Sequence, residues 1–270
     1  MNYYSRQQSP LNNDEMIRRA PSIFSAISSE NTSDKYKLIP TIEAVNVLRS
    51  QGWEPIMAAE QRVRAEHRKG FQKHIIRFRQ QGQNTLMVGD SLVEIVLTNS
   101  HDGLSAYTLH AGLFRLVCSN GLVIADATFQ KLSIVHKGYE PTQFVAASQS
   151  VLDSLPQIKG SVEAMQKIEL SGVERELFAK TALTLRYDEG KSPIEAPRLL
   201  ASRRYNDEGK DLWSTFNTVQ ENLVRGGQRG RNANGGRSST REVGGIDSNI
   251  KLNKALWSLA DEMRKIKEAA

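Results

Sequence analysis

The chain of 270 residues has 39% hydrophobic and 24% charged residues, a composition typical of a globular protein. Its one cysteine, Cys118, excludes a disulfide framework and any multi-cysteine zinc or iron–sulfur site, and it favours a reducing, cytoplasmic compartment. No apolar run approaches the ~20 residues of a membrane-spanning helix. Residues 1–8 lack the apolar region of a secretory signal.

The formal net charge is +6, and the basic residues are concentrated in two segments. Residues 62–79 contain seven basic residues and one acid, and residues 225–241 contain five arginines and no acid. These segments together carry +11, which leaves −5 for the rest of the chain. Such a distribution favours a polyanionic partner, most simply nucleic acid. A solvated hairpin and a bare linker loop are the alternatives for the two segments.

The first half of the sequence predicts an antiparallel sheet. Residues 1–35 are polar and we expect them to be loosely ordered, apart from residues 16–27, which can dock on the body. A helix is predicted from Thr41 to a stop at Gly52. Runs of β-forming residues bounded by turn residues predict strands over 53–64, 71–79, 92–98, 106–110, 122–124 and 131–136. The compact apolar run 113–119 predicts a short helix, with Cys118 as a buried hydrophobe.

The second half predicts helices. The first are expected over 144–155 and 162–168. Three further helices are predicted by apolar faces: Val173, Leu177, Phe178, Ala182 and Leu185; Leu212, Phe216, Val219 and Leu223; and Leu252, Leu256, Leu259, Met263 and Ile266. Residues 225–245, rich in Gly and Arg, are expected to be mobile without a ligand. The prediction is an α+β fold with a loosely ordered segment 1–35, an antiparallel sheet domain 36–140 and a helical region 141–270.

The predicted hairpin carries the more specific candidate site. Alternate residues of a strand share a face, so Lys73, Arg77 and Arg79 are expected on one exposed face, with Arg62 and Arg64 beside them. Cations about 6–7 Å apart resemble the phosphate spacing of an extended single strand. The candidate nucleic-acid-binding residues are Arg62, Arg64, Arg68, Lys69, Lys73, Arg77, Arg79, Arg225, Arg229, Arg231, Arg237 and Arg241. Trp53, Phe71 and Phe78 can either stack on bases or fill the core.

The sequence offers little support for catalysis. Residues 226–230 are not a phosphate-binding P-loop, because no Gly-Lys-Ser/Thr follows a strand. His101 and Asp102, with His110, suggest a metal or nuclease site, but their spacing matches no metal motif, and an Asp before a Gly is common in turns. We therefore predict a protein without catalytic residues, bound metal or cofactor.

Four segments carry a resemblance to a known family. They are residues 99–103, 112–122, 211–216 and 251–257, and the Gly/Arg loop 225–245 is a further part of the resemblance. The chain resembles the phage/plasmid-like proteins called domain of unknown function 932, a resemblance that implies origin in a mobile element.

A second resemblance is architectural. A helix, Gly52-Trp53, several antiparallel strands and a further helix are similar to the core of the single-strand annealing recombinases of the Redβ and Erf groups. That resemblance implies that the basic residues of the hairpin bind a DNA backbone and that the protein forms a ring or filament.

The sequence therefore predicts a protein that binds and anneals single-stranded DNA during recombination of a phage or plasmid element, without catalysis. The expected partners are single-stranded DNA and further copies of the chain, and no membrane. An anti-defence protein that binds and inhibits a host nuclease is the alternative. A metal-dependent nuclease that uses His101 and Asp102 is a third hypothesis.

Overall fold

The computed structural model describes residues 9–34, 36–80, 87–88, 91–115, 121–124, 132–134, 146, 149–150, 153–203, 208–231 and 235–269. Its elements confirm the predicted α+β class. The chain divides into two compact units, residues 1–155 and 156–270. Among the described residues, no helix is long and apolar enough to cross a membrane.

The first unit is built on an antiparallel sheet. Its strands are β1 (Trp53–Glu60), β2 (His74–Gln80), β3 (Met87–Val88), β4 (Ser91–Asn99), β5 (Tyr107–Arg115), β6 (Gly121–Ile124) and β7 (Leu132–Ile134). They follow the order β1-β2-β4-β5-β6, with β3 on β4 and β7 on β5. The pairings Arg77↔Val96 and Val96↔His110 set the register across the centre of the sheet.

Helix α2 (Thr41–Ser50) precedes β1 and buries Ala44, Val45 and Leu48. It lies on the sheet face that carries His74, Ile76 and Phe78 of β2, because the hydroxyl of Thr41 lies 2.8 Å from Nε2 of His74. All three β2 side chains are fully buried, as is Trp53 of β1. Trp53 and Phe78 are therefore core residues and cannot stack on bases.

The N-terminal segment is more ordered than we predicted, over residues 9–34. Helix α1 (Asn13–Arg19) begins with a capping box, in which Asn12 and Glu15 each accept a hydrogen bond from the other's backbone N–H. Met16 and Ile23 are completely buried. The backbone N–H of Leu11 donates to the carbonyl of Pro55 on β1 at 2.7 Å. This segment is part of the core of the first unit.

The predicted helix over 113–119 is wrong in its described part. Strand β5 continues through Arg115, and Leu113 and Phe114 pair with Val93 and Leu92 of β4. An apolar run of this length fits a buried strand as well as a helix, and the long partner strand decides between them. Cys118 and most of the predicted helix 144–155 lie outside the described residues.

The second unit is mainly helical. Its helices are α3 (Leu155–Lys167), α4 (Gly172–Thr184), α5 (Leu212–Arg225) and α6 (Ile246–Ala269). Leu212, Phe216, Val219 and Leu223 of α5 are all buried, as predicted. Trp213 stacks on Phe216 with ring centroids 5.4 Å apart, and the edge of Trp257 from α6 completes this aromatic cluster. Helices α5 and α6 therefore form a common core.

The predicted apolar face of α4 is only partly buried. Phe178 and Ala182 lie in the core, but Val173 and Leu177 are 79% and 57% exposed. The helix packs on neighbours through a narrower face than the five apolar positions suggested. Its first turn is fixed by a capping box between Ser171 and Glu174.

Candidate nucleic-acid interface

The first basic segment forms the connection between β1 and β2. Both strands are shorter than predicted, and residues 61–73 link them, with the N–H of Gln61 bonded to the carbonyl of Lys73 at 2.7 Å. Arg62, Arg64 and Lys69 are exposed in this connection. Lys69 forms a surface ion pair with Glu66 at 2.5 Å, whereas Arg62 and Arg64 have no acidic partner among the described residues.

Arg68 anchors the same connection to the turn after β4. Its Nε and Nη2 donate to one carboxylate oxygen of Asp102 at 3.0 and 2.8 Å. The other oxygen of Asp102 accepts the backbone N–H of Leu104 at 3.1 Å. Asp102 is buried. Its hydrogen bonds show that it is a turn residue that also pairs with Arg68. Arg68 therefore forms an ion pair with Asp102 in the folded chain.

Arg77 and Arg79 share one face of β2, as the alternation predicted, but the expected exposed face is wrong. Arg77 is 5% exposed, and its Nε donates to Glu94 of β4 at 2.6 Å. Arg79 donates to the other oxygen of Glu94 through Nε at 3.0 Å and Nη2 at 2.5 Å. Glu94 itself is fully buried. The two guanidinium groups are therefore neutralised in part by one carboxylate inside the protein.

The strand register explains this arrangement. Arg77 pairs with Val96, so Glu94, two residues further along β4, projects from the same face of the sheet. A single acid inside the apolar run of residues 92–98 is the sequence signal for a buried partner. The pattern of that run predicts a strand but does not by itself predict the ion-pair cluster of Arg77, Arg79 and Glu94.

A second buried polar cluster lies on the other face of the sheet. His74 contacts the hydroxyl of Ser22 through Nδ1 at 3.0 Å and that of Thr41 through Nε2 at 2.8 Å. Thr41 also lies 3.3 Å from Nε2 of His101, and Asn99 donates to Thr41 at 3.0 Å. Burial, with a smaller effect of nearby His101, lowers the pKa of His74 to about 3. His74 is therefore neutral at physiological pH.

The four histidines that the structure describes do not assemble a metal site. Among the residues that the structure describes, no three His, Cys, Asp or Glu side chains are grouped to hold a metal ion. His101 and Asp102 are adjacent in sequence but have different environments, the first in the buried cluster of His74 and the second on Arg68.

The second basic segment forms a β-hairpin over its described part, where the sequence predicted a loop. Strand β8 (Arg229–Arg231) pairs with β9 (Arg237–Ser239), and Arg231 lies directly opposite Arg237. Since alternate residues share a face, Arg229, Arg231 and Arg237 project from the same side of the hairpin. All three side chains are exposed. We call these three residues the arginine face.

The opposite side of the hairpin packs against a loop of the second unit. A Cβ at Gly230 would overlap the carbonyl oxygen of Pro193, and the N–H of Arg231 donates to that oxygen at 2.8 Å. A side chain larger than hydrogen does not fit at position 230. This close approach directs the arginine face away from the Pro193 loop.

Two arginine side chains from outside α5 bind backbone carbonyls at the base of the hairpin, where it follows the end of α5. Arg186 donates to the carbonyls of Leu223 and Arg241, and Arg203 donates to the carbonyl of Gly226. Such bonds satisfy carbonyl groups that a helix leaves without an internal partner at its C-terminus. Two arginines that we did not single out from the sequence therefore organise the segment.

Asn222 completes the base of the hairpin. Its amide donates to the carbonyls of Leu199 and Ala201, both at 2.9 Å, and its oxygen accepts from Arg203 and Gln228 at 2.7 and 2.5 Å. The backbone N–H of Thr240 also donates to the carbonyl of Gln228 at 2.9 Å. The hairpin is thus fixed where it leaves α5.

The remaining candidates of this segment are also on the surface. Arg225 pairs with Glu221 at 2.7 Å, and Arg241 is exposed. Within the described ranges, none of the three arginines of the arginine face has an acidic partner, and neither has Arg241. The structure thus separates eleven of the twelve predicted residues into a group with an acidic partner and a solvent-facing group. The first group is Arg68, Lys69, Arg77, Arg79 and Arg225, and the second is Arg62, Arg64, Arg229, Arg231, Arg237 and Arg241. Lys73 is half-buried.

Comparison with known proteins places most of the chain in one family. The family described as "Domain of unknown function (DUF932)" matches residues 29–257. The UPF0380 protein YafZ of Escherichia coli (strain K12) is 42% identical over 258 residues, covering 96% of this chain and 93% of the relative. The UPF0380 protein YfjQ of the same organism is 41% identical with the same coverage. No solved structure matches the chain. From the extent of these matches, the chain belongs to the family of the domain of unknown function DUF932.

Proposed function

We propose that the protein binds single-stranded DNA without catalysis and anneals complementary strands during recombination of a mobile element. The arginine face supports this proposal most directly. Arg229, Arg231 and Arg237 are exposed side by side on a hairpin and have no acidic partner among the described residues. A surface of this kind attracts polyanions and releases their counterions on binding.

The spacing of the arginines favours an extended strand as the ligand. Arg229 and Arg231 are two residues apart on β8, which corresponds to about 6–7 Å. In the first unit, Arg62 and Arg64 are likewise exposed and separated by one residue. Binding to successive phosphates leaves the bases unread and available for pairing. Annealing requires that combination and no covalent chemistry.

The test is fluorescence anisotropy of a labelled oligothymidylate at about 50 and 200 mM salt, a range over which binding to phosphates weakens steeply. We expect tight binding at the lower salt, a large decrease in affinity at the higher salt, and weaker binding of the matching duplex. Failure to bind at the lower salt would overturn the proposal and favour a protein partner. Equal affinity for duplex would overturn the preference for single strands.

Matched variants assign the binding to the exposed arginines. Replacing both Arg62 and Arg64 with Ser is expected to weaken binding and lower the salt slope by about two, because each arginine neutralises about one phosphate. The control replaces Arg18 and Arg19 with Ser, which removes the same charge from exposed positions at the end of α1. Equal decreases in affinity in the two double variants would show that only net charge matters.

Annealing is measured separately. Two complementary oligonucleotides, one with a fluorophore and one with a quencher, should pair faster with the protein than without it. Binding without acceleration would restrict the function to coating a single strand. The predicted homo-oligomer is tested by mass photometry of the protein with and without the oligonucleotide.

A further inference from the structure

We infer that Arg231 and Arg237 together form a preformed site for one phosphate oxyanion. Where the bound phosphate belongs to DNA, this inference rests on the proposed function. The observation behind it is the direct opposition of two exposed arginines on neighbouring strands.

The hydrogen-bond pattern shows how closely the two side chains approach. In an antiparallel ladder, the N–H and carbonyl of a residue both point either toward the partner strand or away from it. The N–H of Arg231 points away from β9, because it donates to the carbonyl of Pro193 at 2.8 Å. Arg231 and Arg237 are therefore a non-hydrogen-bonded pair, the kind whose side chains lie closest, with Cβ atoms about 4.5–5.5 Å apart.

This proximity is unfavourable in the free protein. Like charges placed directly opposite each other destabilise a pair of strands. Arg231 donates through Nη1 to the carbonyl of Gly235 at 3.0 Å, which orients its guanidinium without neutralising it. Within the described residues, no carboxylate lies against either arginine. A bound anion would remove the repulsion and replace it with attraction to both guanidinium groups.

The hairpin cannot relieve the repulsion by separating its strands. Gly230 lies against Pro193, and the N–H of Gly227 donates to the carbonyl of Thr240 at 2.7 Å. The N–H of Thr240 returns a bond to the carbonyl of Gln228 at 2.9 Å. Packing on the opposite side of the hairpin and hydrogen bonds at its base thus hold the two arginines together before any ligand arrives.

The ligand class follows from the donors. Two guanidinium groups present forked N–H donors that match the oxygens of a phosphate, and they remain charged at any physiological pH. The phosphate can belong to a phosphodiester of DNA or to a free anion such as pyrophosphate. Both sources share the chemistry of the site, and the experiment must separate them.

The experiment uses the full chain and the single variants R231S and R237S, together with the double variant. The matched control is R198S, an exposed arginine elsewhere in the second unit. We expect each single variant to bind oligothymidylate about tenfold more weakly and to lower the salt slope by about one. If one phosphate is shared, the double variant should bind little more weakly than either single variant. Fully multiplicative effects would overturn the shared site.

Stability provides the second readout. Removing either arginine should leave the melting temperature of the free protein unchanged or raise it, because a repulsion is relieved. A clear fall in melting temperature would mean that the arginines are structural, against the inference. R237K keeps the charge but lacks the forked donor, and it should recover only part of the affinity.

Measurements with pyrophosphate distinguish a DNA phosphate from a free anion as the ligand. They also distinguish failure of this inference from failure of the proposed function. A rise in melting temperature with pyrophosphate for the wild type, absent in R237S, supports the site even if no oligonucleotide binds and the proposed function fails. Oligonucleotide binding that is about tenfold weaker in R237S, with no effect of pyrophosphate, identifies a nucleic-acid phosphate as the ligand. Oligonucleotide binding equal in wild type and R237S overturns this inference and leaves the proposed function intact. No response to either anion overturns both.

Discussion

Arg77 and Glu94 form a buried ion pair between β2 and β4, with Nε of the arginine 2.6 Å from the carboxylate. The same carboxylate accepts two further bonds from Arg79. Glu94 thus pairs with one buried and one partly buried guanidinium group, which explains how an acid is accommodated between the apolar residues Val93 and Ile95 of β4. Because Arg77 and Arg79 both pair with Glu94, two of the strongest candidates for nucleic-acid binding do not face a polyanion in solvent.

Replacing Glu94 with Gln should destabilise the protein strongly. Gln keeps the size of the side chain but not the charge, so the buried guanidinium of Arg77 and the partly exposed one of Arg79 lose this carboxylate as a counterion. Breaking a buried pair in this way costs about 3–5 kcal/mol. Urea unfolding followed by circular dichroism measures the change in the free energy of unfolding.

The control for Glu94 is Glu54, whose pair with Arg49 at 3.5 Å is much more exposed. E54Q should change the free energy of unfolding by less than about 1 kcal/mol, as for surface ion pairs generally. Equal effects of E94Q and E54Q would mean that Arg77 and Arg79 find other counterions when Glu94 is replaced.

Charge reversal at β2 should prevent folding rather than report on DNA binding. A variant with Glu at Lys73, Arg77 and Arg79 would place two acids beside the buried carboxylate of Glu94. Such a cluster of like charges without a counterion is incompatible with the interior. We expect the far-ultraviolet circular dichroism spectrum of a largely unfolded chain. A native spectrum would show that this face of the sheet opens to solvent.

His74 should make the protein less stable in mild acid. Its pKa is about 3 in the folded chain and 6.5 in the unfolded chain, so between these values the unfolded state binds the extra proton. The stabilising effect of neutral His74 is complete above pH 6.5 and is lost as the pH falls toward 3. The full loss is on the order of 5 kcal/mol. Urea unfolding between pH 7 and 5 isolates the upper part of this window, above the usual carboxylate range.

The variant His74→Gln tests this assignment, because its amide can hydrogen-bond but does not titrate. We expect lower stability than wild type at pH 7 and a smaller decrease toward pH 5. His67→Gln, at an exposed histidine of the connection between β1 and β2, should keep the wild-type dependence. An unchanged slope in His74→Gln would assign the acid sensitivity to another group.

Residues whose environment is set by local pattern were predictable from the sequence. Strand β4 has nearly the predicted bounds, and the 4-3-4 spacing of Leu212, Phe216, Val219 and Leu223 identified the buried side of α5. These patterns depend only on the period of a strand or helix and on the burial of apolar side chains. The α+β class followed from them.

Residues whose environment is set by distant partners were not predictable. The exposure of Arg77 depends on Glu94, seventeen positions away and on another strand. The order of the Gly/Arg segment depends on Pro193 and Arg186, which no local rule connects to Gly230 or Arg241. A count of glycines measures the freedom of an isolated backbone, but here the glycines permit close packing that removes that freedom.

The glycine at position 230 provides the sharpest test of an ordered hairpin. Its added Cβ would overlap the carbonyl oxygen of Pro193 and would lie 2.9 Å from a methyl group of Ile194. G230A should therefore push the hairpin off the Pro193 loop, lower the melting temperature and weaken oligonucleotide binding, even though every arginine is retained.

Gly244 offers a matched control in the same segment, because a Cβ there meets no atom within 4 Å and no positive φ opposes it. G244A should leave the melting temperature unchanged or slightly raised, since it reduces the freedom of the unfolded chain. A mobile loop, as the composition suggested, predicts that the two variants behave alike. Thermal melts and anisotropy titrations of G230A and G244A decide between these outcomes, and equal behaviour would show that the hairpin does not rest on Pro193 in solution.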